Sequence, residues 1–145
     1  MKVTISSVLL LAAATPALAA NFLGSCSADS VVVDGKILTA KCRTISGQLK
    51  CTKLDLNNCL KNTYGSLQSD PEGDGPHFGD QCYNCSNDKT TSGILIDSPG
   101  LLHCQCDPGT GAAKANWPTA IFDINTIVDN FNGRLECYGN KAKDC

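Results

Sequence analysis

The chain has 145 residues, of which 12 are basic and 14 acidic, so its formal net charge at pH 7 is −2. The basic residues form no cluster along the sequence, which argues against electrostatic binding to nucleic acid or to an anionic membrane. This length is sufficient for one compact domain with a modest core.

The first 20 residues are typical of a secretory signal peptide. Lys2 provides the positive start, and VLLLAAA provides an apolar run that is too short to span a bilayer. The residues ALA at 17–19 form a small-residue cleavage site. We therefore expect residues 1–20 to be removed and residues 21–145 to form a secreted, extracellular domain.

All ten cysteines follow this segment. An even number of cysteines in an exported chain of this size predicts a disulfide framework. Cys82-x-x-Cys85 followed by Cys104-x-Cys106 also allows a zinc site of four thiolates, but an oxidising compartment favours disulfides.

The remaining chain contains two halves with the same order of parts. NFLGSC opens the first half and HFGDQC opens the second, each with a Phe four residues before a Cys. Next come VVVDGKILTAKC and GILIDSPGLLHCQC, whose alternating apolar residues and glycine-containing turns predict β-hairpins. A glycine-containing loop then leads to a third strand that ends in LDLN or FDIN.

Each half closes with the same pattern, in LDLNNCLKNTYGSL (residues 54–67) and FDINTIVDNFNGRL (residues 122–135). Asp55 and Asp123 alternate with apolar residues, as on a half-buried strand. Asn57 and Asn125 are predicted N-caps of a short helical turn.

Tight turns with positive φ are predicted at Gly65 and Gly133. Between the halves, SDPEGDGP at residues 69–76 has the composition of a linker. Repeat 1 is therefore placed at residues 21–69, repeat 2 at 77–137 and a short C-terminal tail at 138–145. Because a unit of this size is marginally stable alone, we expect the two repeats to share one core.

These matched features resemble the cyanovirin-N family of sugar-binding proteins, in its secreted, cysteine-rich form typical of filamentous fungi. The resemblance covers almost all of residues 21–145 and includes Phe-x-x-x-Cys, Leu-x-Ala/Cys-x-Cys and D-[LI]-N…N-x-x-G-x-L in both repeats. It implies a mainly β, elongated, two-lobed fold with short helical turns, in which strands are exchanged between the pseudo-symmetric repeats.

The resemblance also implies a metal-independent, non-catalytic lectin for mannose-type glycans, with no cofactor. Its partners would be oligosaccharides or glycoproteins, and the chain would be a monomer that can form a strand-swapped dimer. The alternative is a secreted, disulfide-stapled scaffold of the same fold that binds a protein or cell-surface partner without sugar affinity.

The family has one shallow site in each lobe, rich in the polar groups that bind sugar hydroxyls. The first-lobe site corresponds to Asn21, Gly24, Ser25, Arg43, Thr44, Ile45, Asn130, Phe131 and Asn132. The second-lobe site corresponds to Lys61, Tyr64, His77, Asp80, Gln81 and the loop from Asp107.

The second-lobe site matches the family less well than the first. Lys61 and Tyr64 stand where the family's founder has acids, and the loop DPGTGAAKANWP is longer than its counterpart. In that loop Trp117 could stack on a sugar face, but it is more simply read as packing the loop against the body.

Catalysis is not expected from this sequence. His77 and His103 are the only histidines, and no serine elbow is present. Asp55 and Asp123 could form a carboxylate pair for glycoside hydrolysis. Their equivalent positions in two repeats favour a structural role instead.

The repeats also predict disulfide pairs. Equivalent strand positions favour Cys26–Cys42 and Cys82–Cys106, with Cys85–Cys104 as a second rung on the second hairpin. For the remaining four cysteines, the short-range choice is Cys51–Cys59 and Cys137–Cys145.

Overall fold

A computed structural model describes residues 20–87 and 98–145. Most of the predicted signal peptide (residues 1–19) and the first arm of the second predicted hairpin (residues 93–97) lie outside the described residues. In the part that is described, no helix is long and apolar enough to cross a membrane.

The described chain is mainly β, with one short α-helix and five short 3₁₀-helices. The strands are β1 (Val32–Asp34), β2 (Ile37–Arg43), β3 (Leu49–Asp55), β4 (Leu60–Thr63), β5 (Ser66–Ser69), β6 (Cys82–Ser86), β7 (Leu101–Cys106), β8 (Thr119–Asp123), β9 (Asp129–Phe131), β10 (Arg134–Cys137), β11 (Asn140–Lys141) and β12 (Lys143–Asp144). The α-helix α1 spans Phe78–Gln81, and the 3₁₀-helices span Phe22–Gly24, Ala28–Ser30, Leu56–Asn58, Lys114–Asn116 and Ile124–Thr126.

Seven strands form one antiparallel sheet in the order β12-β3-β2-β1-β6-β7-β8. Strand β1 of repeat 1 pairs with β6 of repeat 2 through Asp34 and Ser86, so the sheet continues across the two repeats. The closing hairpins form two smaller sheets, β4-β5 and β11-β10-β9. The predicted mainly β fold with exchange between repeats is confirmed.

The phenylalanine that opens each repeat is fully buried, Phe22 in repeat 1 and Phe78 in repeat 2. The backbone N–H of Phe22 donates to the carbonyl of Val128 at 3.1 Å, which places the start of repeat 1 against the end of repeat 2. In repeat 2, His77 forms a β-bridge with Lys61 of repeat 1. The opening segment of each repeat is therefore buried by the closing segment of the other.

The prediction that Asn57 and Asn125 cap the helical turns is wrong. The caps are Asp55 and Asp123, whose Oδ1 atoms accept the backbone N–H groups of Asn57 and Asn125, both at 3.0 Å. A side chain two residues before the donor can reach it, so the aspartate satisfies this terminal N–H. The same hydrogen bonds give both carboxylates the structural role that their repeated positions predicted.

Because neither asparagine caps its helical turn, the side chain of each one forms a hydrogen bond with the other repeat. Oδ1 of Asn57 accepts the backbone N–H of Gly79 at 2.9 Å, and Oδ1 of Asn125 accepts that of Leu23 at 3.0 Å. Leu23 and Gly79 each follow the buried phenylalanine of their repeat. The two bonds are therefore equivalent, and each holds the opening turn of one repeat on the closing turn of the other.

The three predicted hairpin disulfides are present: Cys26–Cys42, Cys82–Cys106 and Cys85–Cys104. Because the sulfurs of residues 82, 85, 104 and 106 are all in disulfides, the zinc interpretation of these four cysteines is wrong.

The short-range pairs Cys51–Cys59 and Cys137–Cys145 are also wrong. The observed bonds are Cys51–Cys145 and Cys59–Cys137, with Cα–Cα distances of 5.4 and 5.9 Å. The tail forms strand β12 beside β3, which brings Cys145 to Cys51. Strand exchange places the end of β10 near Cys59, so proximity along the chain was misleading for both pairs.

The tail is also held by ion pairs. The carboxylate of Asp144 lies 3.0 Å from Lys50 Nζ and 3.1 Å from Arg134 Nη2. The hydrogen bond from Lys50 is the main cause that lowers the pKa of the exposed Asp144 carboxyl below its usual value, and the hydrogen bond from Arg134 lowers it further.

The linker turns back on the body around a buried carboxylate. Asp70 is only 2% exposed. Its Oδ2 accepts the backbone N–H of Gly75 at 3.2 Å, and its Oδ1 lies 3.4 Å from Lys61 Nζ. Its backbone N–H donates to the carbonyl of Cys59 at 2.9 Å. The segment predicted as a linker is therefore anchored on repeat 1.

We predict that Asn57→Ala and Asn125→Ala each lower the free energy of unfolding by about 0.5–1.5 kcal/mol, because each removes the acceptor of a part-buried N–H of the opposite repeat. Asn58→Ala is the matched control, since its exposed side chain makes no hydrogen bond within the described residues. Chemical denaturation measures the three values. Equal losses at residues 57 and 58 would show that the inter-repeat bonds contribute nothing.

Candidate functional site

The first-lobe site is assembled around the amide of Asn130. Its Oδ1 accepts the N–H of Gly133 at 2.8 Å, which closes the β9–β10 turn. Its Nδ2 donates to the carbonyl of Arg43 at 2.8 Å and to Oγ of Ser25 at 3.0 Å. One side chain of repeat 2 therefore holds together three segments, two of which belong to repeat 1.

Asn62 has the same role in the second lobe. Its Oδ1 accepts the N–H of Gly65 at 3.0 Å. Its Nδ2 donates to the carbonyl of Asp107 at 2.8 Å and to Oε1 of Gln81 at 3.2 Å. The two sites are thus built by equivalent bonds with the repeats reversed.

Each closing turn has two consecutive residues in the left-handed region. The φ values are 53° and 82° for Asn132 and Gly133, and 50° and 86° for Tyr64 and Gly65. Two positive φ values are typical of a type I′ hairpin turn, so the predicted tight turns are confirmed. Each turn projects the side chain of its first residue at the edge of the site.

Most side-chain oxygens of the first-lobe site hold its loops. Asn132 Oδ1 accepts the N–H of Ile45 at 2.9 Å, and Asn21 Oδ1 accepts that of Gly24 at 3.2 Å. Thr44 Oγ1 lies 2.9 Å from Ser46 Oγ. The exposed groups beside this framework are the guanidinium of Arg43 and the aliphatic side chain of Ile45, which is 90% exposed.

Phe131 takes no part in the hydrogen bonds that hold these loops. Its ring is 70% exposed, and its centroid lies 5.9 Å from Lys141 Nζ. Phe131 and Asn130 both line a cavity of about 460 Å³. The ring therefore stands beside the hydrogen-bonded framework as an exposed apolar group.

The second-lobe site is a cavity of about 410 Å³. Of the predicted residues, Lys61, Tyr64, Gln81 and Asp107 line it. Tyr64 is 82% exposed, and a side chain at Gly109 would come within 3.2 Å of its ring. The exposed aromatic ring thus stands beside the long loop.

Two residues predicted for the second lobe, His77 and Asp80, do not line this cavity. Nδ1 of His77 lies 3.0 Å from the carbonyl oxygen of Asn57, so the imidazole contacts the closing turn of repeat 1 and not the cavity. Lys61 lines the cavity, but its Nζ is 3.4 Å from Asp70 and 3.8 Å from Asp74. These carboxylates satisfy much of its charge.

The long loop is packed by its tryptophan. Trp117 is half-buried, and its Nε1–H donates to the carbonyl of Ala112 at 3.1 Å. Its ring meets that of Tyr83 edge-on, with centroids 5.7 Å apart, and Nζ of Lys114 lies 4.9 Å from the Tyr83 centroid. These contacts favour the packing interpretation of Trp117 over sugar stacking.

Sequence reasoning included Gly109 only as part of the loop from Asp107, and it missed other participants. Asn62, Thr63, Gly75 and Pro76 also line the second-lobe cavity, and Asp70 fixes the linker beside it. Nothing in the sequence around Asp70 indicates that it is buried.

Neither site contains a constellation for metal chemistry. Within residues 20–87 and 98–145, no group of three or more His, Cys, Asp or Glu side chains is arranged to hold a metal ion. What both sites offer is a framework of fixed backbone groups with exposed donors and acceptors around it.

A sequence profile of the CVNH domain matches residues 22–136. Among solved structures, GzCVNH from Gibberella zeae is similar with a TM-score of 0.61 and 23% identity, covering 82% of this chain and 98% of that one. A MoCVNH3 variant in complex with (N-GlcNAc)4 has a TM-score of 0.60 and 19% identity, covering 81% and 96%. Microvirin in complex with mannobiose has a TM-score of 0.54 and 25% identity, covering 81% and 97%. Comparison with curated proteins gives no match.

The first-lobe turn predicts a contrast between two glycines. Gly133 and Gly139 both have φ of 82°, but a Cβ on Gly133 would lie 2.7 Å from Cγ2 of Thr44, whereas one on Gly139 would meet nothing within 4 Å. We expect Gly133→Ala to destabilise the fold by about 1–3 kcal/mol more than Gly139→Ala, because only the former adds a clash to the backbone strain. Thermal unfolding of both variants measures the difference. Equal destabilisation would contradict the close approach of this turn to Thr44.

Proposed function

Since the chain belongs to the CVNH domain family, we propose that it is a secreted, non-catalytic lectin that binds mannose-type glycans without a metal. The observation that carries this proposal is the equivalent role of Asn130 and Asn62. Each amide fixes the loop after a disulfide-bonded hairpin against the closing turn of the other repeat. Preorganised loops of this kind lower the entropic cost of binding a flexible oligosaccharide.

The exposed groups at the two sites suit sugar hydroxyls, each of which is both a donor and an acceptor. In the first-lobe site, the exposed guanidinium of Arg43 supplies several N–H donors in a planar fork. In the second-lobe site, half-buried Gln81 supplies an amide N–H₂ and half-buried Asp107 a carboxylate, whose Oδ1 also accepts the N–H of Gly109 at 2.8 Å. The ring of Tyr64 adds an apolar face on which a pyranose ring can pack.

The relatives suggest two sugar classes. Microvirin was solved with mannobiose and the MoCVNH3 variant with an N-acetylglucosamine tetramer. We take mannose-type glycans as the ligand and chito-oligosaccharides as the competing class. Both are neutral, in keeping with sites that present few unpaired charges.

Secretion is part of the proposal. Five disulfides are typical of an oxidising compartment. Residues 1–20 have the composition of a secretory signal peptide, which would direct export of the chain. Extracellular glycans and glycoproteins would then be the accessible partners.

The test is a titration of the oxidised, isotope-labelled protein with oligomannose and, separately, with chito-oligosaccharide, followed by NMR. We expect oligomannose to shift backbone amides of residues 43–45 and 130–132, residues 61–65 and 107–109, or both sets. Shifts with chito-oligosaccharide alone would overturn the sugar class. An absence of binding on a broad glycan array would favour the scaffold alternative.

Substitutions then assign the binding groups. We predict that Arg43→Ala weakens binding at the first-lobe site by about 1–2 kcal/mol, as expected for the loss of charged hydrogen bonds. Lys61→Ala should weaken the second-lobe site less, because Asp70 and Asp74 already pair with its ammonium.

Tyr64→Ala should weaken the second-lobe site by about 1 kcal/mol and leave the first unchanged. Tyr138→Ala is the control for the second-lobe affinity, since it too removes an exposed tyrosine with positive φ, at a turn outside the second-lobe cavity. Site-resolved NMR titrations provide the separate affinities. A larger effect of Lys61→Ala than of Arg43→Ala would show that the residue assignment is wrong even if sugar binding is real.

A further inference from the structure

We propose that the Cys59–Cys137 disulfide locks the exchange of repeats between chains, so that the choice between monomer and strand-swapped dimer is made when this bond forms. This lock depends only on which cysteines are joined, within one chain or between two chains, and not on sugar binding. The partner in the dimer would be a second copy of this chain.

The non-covalent contacts between the repeats contain nothing that requires one chain. The pairing of β1 with β6, the bond from Gly79 to Asn57 and the bond from Leu23 to Asn125 join residues on opposite sides of the linker. A second copy could supply the same groups if the linker opened, because exchange of identical elements preserves every contact.

The disulfides separate into two classes with respect to the linker at residues 69–76. Three lie within a repeat: Cys26–Cys42, Cys82–Cys106 and Cys85–Cys104. These bonds remain within one chain whichever way the repeats pair.

The other two, Cys59–Cys137 and Cys51–Cys145, cross the linker with sequence separations of 78 and 94 residues. In a swapped dimer both would have to join different chains, because repeat 1 of each chain then packs with repeat 2 of the other.

Of the two crossing bonds, Cys59–Cys137 is the stronger constraint. Cys59 and Cys137 are 0% and 1% exposed, between the helical turn of repeat 1 and strand β10 of repeat 2. Cys145 is exposed and ends the tail, so its bond tethers a peripheral segment that can shift with the tail. The buried bond joins the two repeat bodies directly and is shielded from thiols in the folded protein.

The linker biases the choice before the bonds form. Asp70 binds the N–H of Gly75 and pairs with Lys61, which holds the chain in a reversal. Gly73 within this turn has a φ of 67°, a conformation that other residues rarely adopt. The closed linker therefore brings Cys137 to Cys59 of its own chain during folding, and oxidation makes the monomer permanent.

Exchange after oxidation would need thiol chemistry. In a molecule that has opened transiently, a glutathione thiolate attacks Sγ of Cys137, releases Cys59 as a thiolate and leaves Cys137 in a mixed disulfide. The Cys59 thiolate of a second copy attacks that same sulfur and releases glutathione as a thiolate. The bond within one chain becomes a bond between two chains with no net oxidation.

The test uses an equal mixture of ¹⁴N- and ¹⁵N-labelled protein carrying a deletion of residues 72–75, which removes the reversal and favours the dimer. The mixture is reduced, unfolded and refolded in glutathione buffer, and the dimer is isolated and digested without reductant. We expect about half of the Cys59–Cys137 peptides to be isotopically mixed, as random pairing of two equal populations requires. The three bonds within repeats provide the internal control and should be unmixed.

Two results would overturn the proposal. A deletion variant that remains monomeric, or that forms dimers with unmixed Cys59–Cys137 peptides, would show that exchange does not reorganise this bond. Equal mixing in Cys26–Cys42 peptides would show random disulfide scrambling instead of repeat exchange.

The full-length linker gives a second measurement that does not rely on the deletion. Oxidised wild-type protein, incubated as a labelled mixture at high concentration, should show no chain exchange without thiol and should gain dimers after glutathione is added. The variant with residues 51, 59, 137 and 145 all changed to Ser should dimerise reversibly with concentration, whereas Cys85→Ser/Cys104→Ser should behave as wild type. Thiol-independent exchange of the wild type would contradict the lock directly, even if the four-residue variant does not fold.

Discussion

The fold depends on reciprocal hydrogen bonds between the asparagine side chains of one repeat and the backbone of the other. Asn57 binds Gly79, and Asn125 binds Leu23. Each bond contributes about 0.5–1.5 kcal/mol, and a repeat that closed alone would lose the acceptor for the N–H of its opening turn. The repeated sequence therefore describes two incomplete halves of one core.

The same constraint positions both candidate sites. The amide donors of Asn130 and Asn62 are engaged with loops of the opposite repeat, and these bonds fix the positions of Arg43 and Asp107. At the first-lobe site the backbone of Arg43 belongs to this framework, whereas its guanidinium projects from it and, within the described residues, donates only to the carbonyl of Gly47, at 3.4 Å. Substitution of Asn130 would therefore disturb the framework itself, whereas substitution of Arg43 removes a side chain that does not hold the two repeats together.

Sequence patterns predicted the structural features that depend on residues close together in the chain. The glycines of the closing turns have the predicted positive φ, and the hairpin cysteines pair across adjacent strands. The errors arose where a local interpretation competed with a long-range one. Asn57 is a good cap by residue type, yet Asp55 performs that role because an acceptor was also needed for Gly79.

By itself the sequence determined the repeats, the strand-rich architecture, the turn conformations and the three disulfides within hairpins. Each of these follows from local periodicity or from the fixed φ preferences of a few residues. Only the tertiary structure decided the Cys59–Cys137 and Cys51–Cys145 bonds, the burial of Asp70 and the cavity beside Tyr64. These features join segments whose distance in space is set by the exchange of strands between repeats, and separation along the chain carries no information about that distance.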